Sequence, residues 1–114
     1  KNTLILLLLF FCHAGFSQII DDFSDGNFNE NPKWNGSNSD GDFKIINNRL
    51  RSESIKSSGN FYLSTANTLA LNCYWEFWVN LPFSTSSLNY VDIYLISDKA
   101  DLQNAMINGY FFRI

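Results

Sequence analysis

The chain has 114 residues, a length that predicts one domain. Eleven acidic residues against eight basic ones give a net charge of −3, which argues against a nucleic-acid-binding protein, since such proteins carry a basic patch or stripe. Aromatic residues make up 17% of the chain, so most of it should bury a core, because disordered chains are poor in aromatic residues.

Residues 1–17 are predicted to be a signal peptide. Lys1 supplies a charged start, an apolar run follows from Leu4 to Cys12, and small residues precede a cleavage site after Ser17. The apolar run is too short for a membrane span, which needs about 20 apolar residues. A lipoprotein site at Cys12 is less favoured, because Phe11 is too large for the position before the cysteine. We therefore expect a secreted or cell-surface protein that begins at Gln18.

The exported segment lacks the residues of several common catalytic and metal sites. Cys73 is the one cysteine after residue 17, so it cannot form an internal disulfide. No histidine follows His13, which excludes Ser–His and Cys–His catalysis and a histidine zinc site within residues 18–114. Cys73 is interpreted as a small apolar side chain within a strand.

In residues 18–114, short apolar runs alternate with clusters of Gly, Asn, Ser and Asp, a pattern typical of an all-β sandwich or barrel. The first strand is predicted at Gln18–Phe23, before a long polar loop that holds Trp34. Asn47 and Asn48 favour a two-residue hairpin turn, because Asn tolerates a positive φ. The strands that they connect are predicted at Phe43–Ile46 and Arg49–Ser52.

The second half of the chain contains the most apolar predicted strand. After a short strand at Phe61–Ser64, the pattern predicts a long strand at Leu71–Leu81, which ends at Pro82 because proline lacks a backbone donor. Further strands are predicted at Tyr90–Ile96 and Tyr110–Ile114, with a helical turn between them. Because the last strand has no turn after it, residues 18–114 are interpreted as the N-terminal part of a β-sandwich domain.

Two predicted strands each have one apolar face and one face that mixes aromatic and polar side chains. Side chains alternate across a strand, so Trp75, Phe77 and Val79 share a core face. If the strands pair, the mixed faces form one surface, which Arg113 of the last strand could join. The register is not readable from the sequence. The candidate ligand-binding residues are Tyr74, Glu76, Trp78, Tyr90, Asp92, Tyr94 and Arg113.

Aromatic rings beside carboxylates and amides suit a carbohydrate, because a ring stacks on the C–H face of a sugar and polar groups bond its hydroxyls. The alternative is that these aromatic residues only cover the second face of the sheet. The acidic loops "DDFSDG" and "NSDGD" do not fit the helix–loop–helix calcium pattern, and both are also ordinary turn sequences.

Six features together resemble a concanavalin-A-like, or laminin-G-like, jelly roll. They are "DDFSDGNF", Trp34, the hairpin "FKIINNRLR", and the strands "YWEFWVN", "NYVDIYLIS" and "GYFFRI". In particular, the chain looks like an N-terminal domain of secreted Bacteroidetes surface proteins, whose signal peptides often end in "FSQ" and which often carry lamin-tail-like domains. The resemblance implies an incomplete jelly-roll sandwich and a structural calcium ion near the chain start, with Asp21, Asp22 and Asp25 as candidate ligands.

The same fold hosts glycoside hydrolases, which need two carboxylates close together. Laminarinase-like enzymes of this fold carry a Glu-x-Asp-x-(x)-Glu run on one strand. Here Glu76 is followed by Phe77, Trp78, Val79 and Asn80, so the run is missing. We expect a non-catalytic module that binds a glycan or another extracellular polymer, or mediates adhesion. The alternatives are a structural spacer of a larger surface protein and a glycoside-hydrolase-like domain.

Overall fold

A computed structural model describes residues 19–37, 41–56, 58–69 and 73–114. All regular structure in these residues is β-strand, which confirms the all-β class. The predicted signal peptide, Gln18 and the start of the predicted strand at Leu71 lie outside the described residues. The six strands are β1 Trp34–Gly36, β2 Phe43–Ile45, β3 Leu50–Ser52, β4 Leu63–Thr65, β5 Asp92–Ser97 and β6 Gly109–Arg113.

The described strands form three antiparallel pairs, β1 with β4, β2 with β3, and β5 with β6. The β2–β3 hairpin confirms the predicted Asn47-Asn48 turn. Both asparagines have positive φ values, 52° and 55°, and the amides of Ile46 and Arg49 each donate to the other's carbonyl oxygen. These dihedrals define a type I′ turn, whose twist matches that of the two strands.

Replacing Asn48 with alanine should destabilise the β2–β3 hairpin by about 1 kcal/mol, because a Cβ without a local polar group is disfavoured at positive φ. The matched control is Asn48→Gly, which keeps access to that φ and should stay close to wild type. Chemical denaturation of the two variants measures the difference. Equal destabilisation by alanine and glycine would show that the asparagine side chain, and not its backbone conformation, stabilises the turn.

The first predicted strand is wrong for residues 19–23, which belong to no strand. The Asp21 carboxylate accepts the Phe23 amide at 2.8 Å, and Phe23 has a φ of 55°, so a side-chain turn replaces extended backbone. Instead, Trp34 begins strand β1, which was predicted to be loop. Its pairing with β4 aligns Trp34 with Thr65 and Gly36 with Leu63.

The predicted long strand is also wrong within its described part, because residues 73–81 belong to no strand. The segment is called here the aromatic segment, Tyr74–Leu81. The predicted helical turn is replaced by two tight turns, in which Asn104 donates to the Asp101 carbonyl and Ile107 to the Asn104 carbonyl. The side chains of Asp101 and Asn104 accept further backbone amides and favour these turns over a helix.

No apolar side chain is fully buried among the described residues. The one buried side chain there is Asp42, which is 1% exposed. Its Oδ2 lies 3.9 Å from the Lys56 ammonium group. The described strands are therefore narrow two-stranded ribbons with exposed faces, and the β5–β6 pair is the longest of them.

Candidate functional site

The β5–β6 ribbon positions the candidate site through its register. Asp92 lies opposite Arg113, and Tyr94 lies opposite Phe111. Next to them, Val91 and Ile114 exchange two backbone hydrogen bonds, at 3.2 and 3.0 Å. Hydrogen-bonded and non-hydrogen-bonded pairs alternate along an antiparallel ladder, so Asp92 with Arg113 and Tyr94 with Phe111 are non-hydrogen-bonded pairs. Side chains approach most closely at such pairs, which brings these four together on one face.

Arg113 and Asp92 form a two-pronged ion pair on this face. Arg113 Nε donates to Asp92 Oδ1 and an Arg113 terminal nitrogen donates to Asp92 Oδ2, both at 2.7 Å. The fork of the guanidinium matches the two carboxylate oxygens, so the pair has a fixed orientation. The hydrogen bonds that Arg113 donates to the Asp92 carboxylate hold the pKa of Arg113 above its usual value. Arg113 is still 52% exposed and Asp92 20% exposed, so the pair faces solvent.

Three aromatic rings surround the ion pair. The Arg113 guanidinium carbon lies 3.9 Å from the centre of the Tyr90 ring and 5.7 Å from that of Phe111. Tyr94 and Phe111 stack with ring centres 4.9 Å apart and an angle of 28° between planes. These contacts hold the cation between two rings, where it is attracted by their negative faces. The group is called here the Arg113 cluster: Tyr90, Asp92, Tyr94, Phe111 and Arg113.

A polar clamp fixes the ribbon where β5 and β6 connect. Asp98 accepts the Asn108 backbone amide at 2.8 Å and the Asn108 side-chain amide at 2.9 Å, and its own amide donates to the Asn108 carbonyl. A bulge between Tyr94 and Ile96 shifts the register, so that Ile96 and not Leu95 lies opposite Tyr110. The clamp and the bulge together set the alignment that places Tyr94 against Phe111.

The hydrogen bonds from the Asn108 side chain and backbone lower the pKa of Asp98 below its usual value of 3.8. The charged form is therefore favoured in the folded chain, and its stabilising contribution is present above pH 3.8 and is lost as the pH falls through the lowered pKa. NMR titration of the Asp98 carboxyl carbon should show this low value. In Asn108→Ala the pKa of Asp98 should move back toward 3.8; an unchanged titration would contradict the clamp.

The aromatic segment is not joined to the Arg113 cluster. No strand pairing, hydrogen bond or ring contact connects Tyr74, Glu76 or Trp78 to the cluster within the described part of the chain. Trp78 is 96% exposed and Tyr74 75%, while the alternate residues Trp75, Phe77 and Val79 are about half as exposed. The predicted alternation of two faces is thus present, although the predicted pairing is not.

Of the seven predicted ligand-binding residues, the structure brings four together: Tyr90, Asp92, Tyr94 and Arg113. Their role in binding stays a prediction. Phe111, which stacks on Tyr94, is not among the residues predicted from the sequence. Phe111 and Arg113 are two positions apart on β6, so their side chains lie on the same face. This period of two is the sequence signal that points to Phe111.

The three predicted calcium ligands each bond to groups of the protein. The Trp34 indole N–H donates to Asp21 at 2.7 Å, the Ser24 amide donates to Asp22 at 3.0 Å, and Asp25 accepts two bonds from Asn27. The Ser24 bonds lower the pKa of Asp22. In the described residues no three His, Cys, Asp or Glu side chains form a group that could hold a metal ion. The calcium site at these three carboxylates stays a prediction.

No family model, curated protein or solved structure matches the chain. Among the residues that the structure describes, no helix is long and apolar enough to cross a membrane.

Proposed function

We propose that the chain is a non-catalytic secreted or cell-surface module that binds carbohydrate through the Arg113 cluster. Its strands would belong to a jelly-roll sandwich of the concanavalin-A-like kind, exported by the signal peptide at residues 1–17. The observation that carries the proposal is the solvent-facing ion pair of Asp92 and Arg113, fixed between the Tyr90 ring and the Tyr94–Phe111 stack.

The cluster offers both kinds of contact that a sugar needs. Phe111 and Tyr90 are partly exposed, so an apolar C–H face of a sugar ring can lie against an aromatic ring. Arg113 has five N–H donors and uses two of them on Asp92, which leaves donors for sugar hydroxyls. Each Asp92 oxygen retains a lone pair for a hydroxyl donor. Because the ion pair is already oriented, binding does not have to order it.

The arrangement favours binding over hydrolysis. A retaining glycosidase needs two carboxylates about 5–5.5 Å apart, one of them acting as an acid. Both oxygens of Asp92 accept hydrogen bonds from Arg113, whose guanidinium blocks the carboxylate from one side. Glu76 is followed by Phe77, Trp78, Val79 and Asn80, so its own segment supplies no second carboxylate. A glycan or another extracellular polymer therefore fits this site better as a bound ligand than as a substrate that is hydrolysed.

The test is binding of the full chain to an array of glycans, compared with Tyr94→Ala and with Arg51→Ala as the matched control. Arg51 is exposed on β3 and pairs with Lys44 across that hairpin, so its loss leaves the Arg113 cluster intact. Binding that Tyr94→Ala loses and Arg51→Ala retains supports the proposal. A folded chain that binds no glycan would favour the structural spacer, and hydrolysis of laminarin by the wild type would favour a glycoside hydrolase.

A further inference from the structure

Strand β5 has one edge without a partner in the described residues. Val91 directs both its N–H and its C=O toward Ile114 of the β6 side. Backbone groups alternate in direction along a strand, so the groups of Tyr90, Asp92 and Tyr94 point to the opposite edge. Nothing pairs with that edge among the described residues. It presents three consecutive donor–acceptor sites of the kind that attract another strand.

The aromatic segment also has backbone groups without a hydrogen-bond partner in the described residues. Residues 74–81 lie in no strand, and none of their backbone groups takes part in a hydrogen bond within the described chain. Their sequence is dominated by aromatic and β-branched residues, which favour strands. The segment also lies just before β5 in the chain, and sequential strands are usually neighbours in a sheet.

The turn at Ser86–Asn89, between the aromatic segment and β5, leaves the unpaired edge of β5 open. Ser86 and Asn89 exchange two backbone bonds around a two-residue turn, at 2.8 and 3.2 Å. This ladder cannot continue past Asn89, because Val91 already bonds to Ile114. The chain also bends at residues 82–83, where Pro82 lacks an N–H. The aromatic segment is therefore directed away from this short hairpin, and the opposite edge of β5 is left for it.

We infer that the aromatic segment closes onto the free edge of β5, with Asn80 opposite Tyr90, Trp78 opposite Asp92 and Glu76 opposite Tyr94. This register uses all three free sites of the edge and leaves Pro82 outside the ladder. It places Trp78 in the same cross-strand row as Asp92 and Arg113, because directly opposite residues share a face. Trp75, Phe77 and Val79 then lie on the other face with Val91 and Ile93.

The closure extends the Arg113 cluster into a three-strand surface, and only this consequence rests on the proposed function. Trp78, now 96% exposed, would supply a flat ring beside the oriented ion pair, and Glu76 and Asn80 would add polar groups at either side. The site would then recognise more than one sugar unit along a row of aromatic rings, as an extended glycan chain requires.

The closure is tested without any ligand. The experiment uses the full chain with Cys12→Ser and Cys73→Ser, so that the two natural cysteines cannot take part in a cross-link. In that background, Val79→Cys with Val91→Cys places two thiols at a non-hydrogen-bonded pair of the proposed register, a geometry that a disulfide can bridge. The matched control is Asn80→Cys with Val91→Cys, which a one-residue slip would align instead. Mild oxidation of dilute protein, followed by mass spectrometry, measures the intramolecular cross-link.

We expect a several-fold larger cross-linked fraction for Val79→Cys with Val91→Cys than for the control. The reverse order would overturn the register, cross-links only between molecules would assign the edge to a second copy, and no cross-link would overturn the closure. Hydrogen exchange of the wild type gives an independent measure, since closure should slow exchange at the Tyr90, Asp92 and Tyr94 amides. Fast exchange at all three would overturn the inference whatever the glycan array shows.

Discussion

Arg113→Ala should weaken glycan binding by about tenfold or more, the loss expected when a charged hydrogen-bonding group is removed from a binding site. The substitution removes the donors that face solvent and also frees the Asp92 carboxylate and the Tyr90 ring from their fixed positions. Isothermal titration with the best ligand from the glycan array gives the affinity.

The same substitution should change folding stability little. Arg113 is half-exposed, and exposed ion pairs contribute little to stability because water already solvates both charges. A large loss of affinity with a nearly unchanged denaturation midpoint would therefore separate a binding role from a structural one. Arg113→Lys provides the conservative comparison. Lysine keeps the charge but cannot make the two-pronged contact, so it should recover only part of the affinity. Full recovery by lysine would show that charge alone matters at this position.

Local chemistry accounts for the parts of the fold that the sequence predicted well. The β2–β3 hairpin follows from Asn47 and Asn48, two adjacent residues that tolerate the φ values of a tight turn. Asp92, Tyr94 and Arg113 were placed on a common face by the period of two along each strand, and the register then put Asp92 opposite Arg113. In the hairpin the deciding interaction lies within a residue or two of the sequence signal, whereas the register that aligns Asp92 with Arg113 joins residues 21 positions apart.

The parts that the sequence did not predict depend on distant or competing interactions. Strand β1 exists because Trp34–Gly36 pairs with β4, about thirty residues later, and no local signal in a polar loop announces such a partner. A carboxylate that captures the Phe23 amide overrides the apolar pattern of residues 19–23. The bulge near Leu95 changes which residue faces Tyr110, and an extra residue of this kind cannot be read from alternation alone.

The high strand propensity of the aromatic segment is also not enough to pair it with another strand in the described chain. Residues 74–81 keep the two-faced alternation of exposure that their sequence implies, yet they lack the hydrogen bonds of a ladder in the described chain. A strand needs a partner edge as well as a suitable sequence, since its backbone groups bond only to a neighbour. Which face each side chain occupies is thus independent of whether the segment pairs with β5, and substitutions on the two faces test the two points separately.

Trp78→Ala and Trp75→Ala should therefore affect different properties: Trp78→Ala the affinity for glycan, and Trp75→Ala the folding stability. If the aromatic segment closes onto β5, Trp78 shares the face of the Arg113 cluster, and its loss should weaken glycan binding about tenfold or more, as expected for a stacking aromatic group. Trp75 lies on the other face, where its large apolar area would be covered in a sandwich. Trp75→Ala should therefore lower the free energy of unfolding by about 3 kcal/mol and leave the affinity of the remaining folded protein unchanged.

The pair is well matched, because the two residues are the same amino acid, lie three positions apart and belong to the same aromatic segment. Denaturation curves and binding isotherms of both variants, measured on the full chain, give the four quantities required. A loss of affinity in Trp75→Ala with stability retained would place the opposite face of the segment at the ligand. Equal loss of stability in both variants, with affinity unchanged, would show that the segment is covered on both faces and that Trp78 lies outside the site.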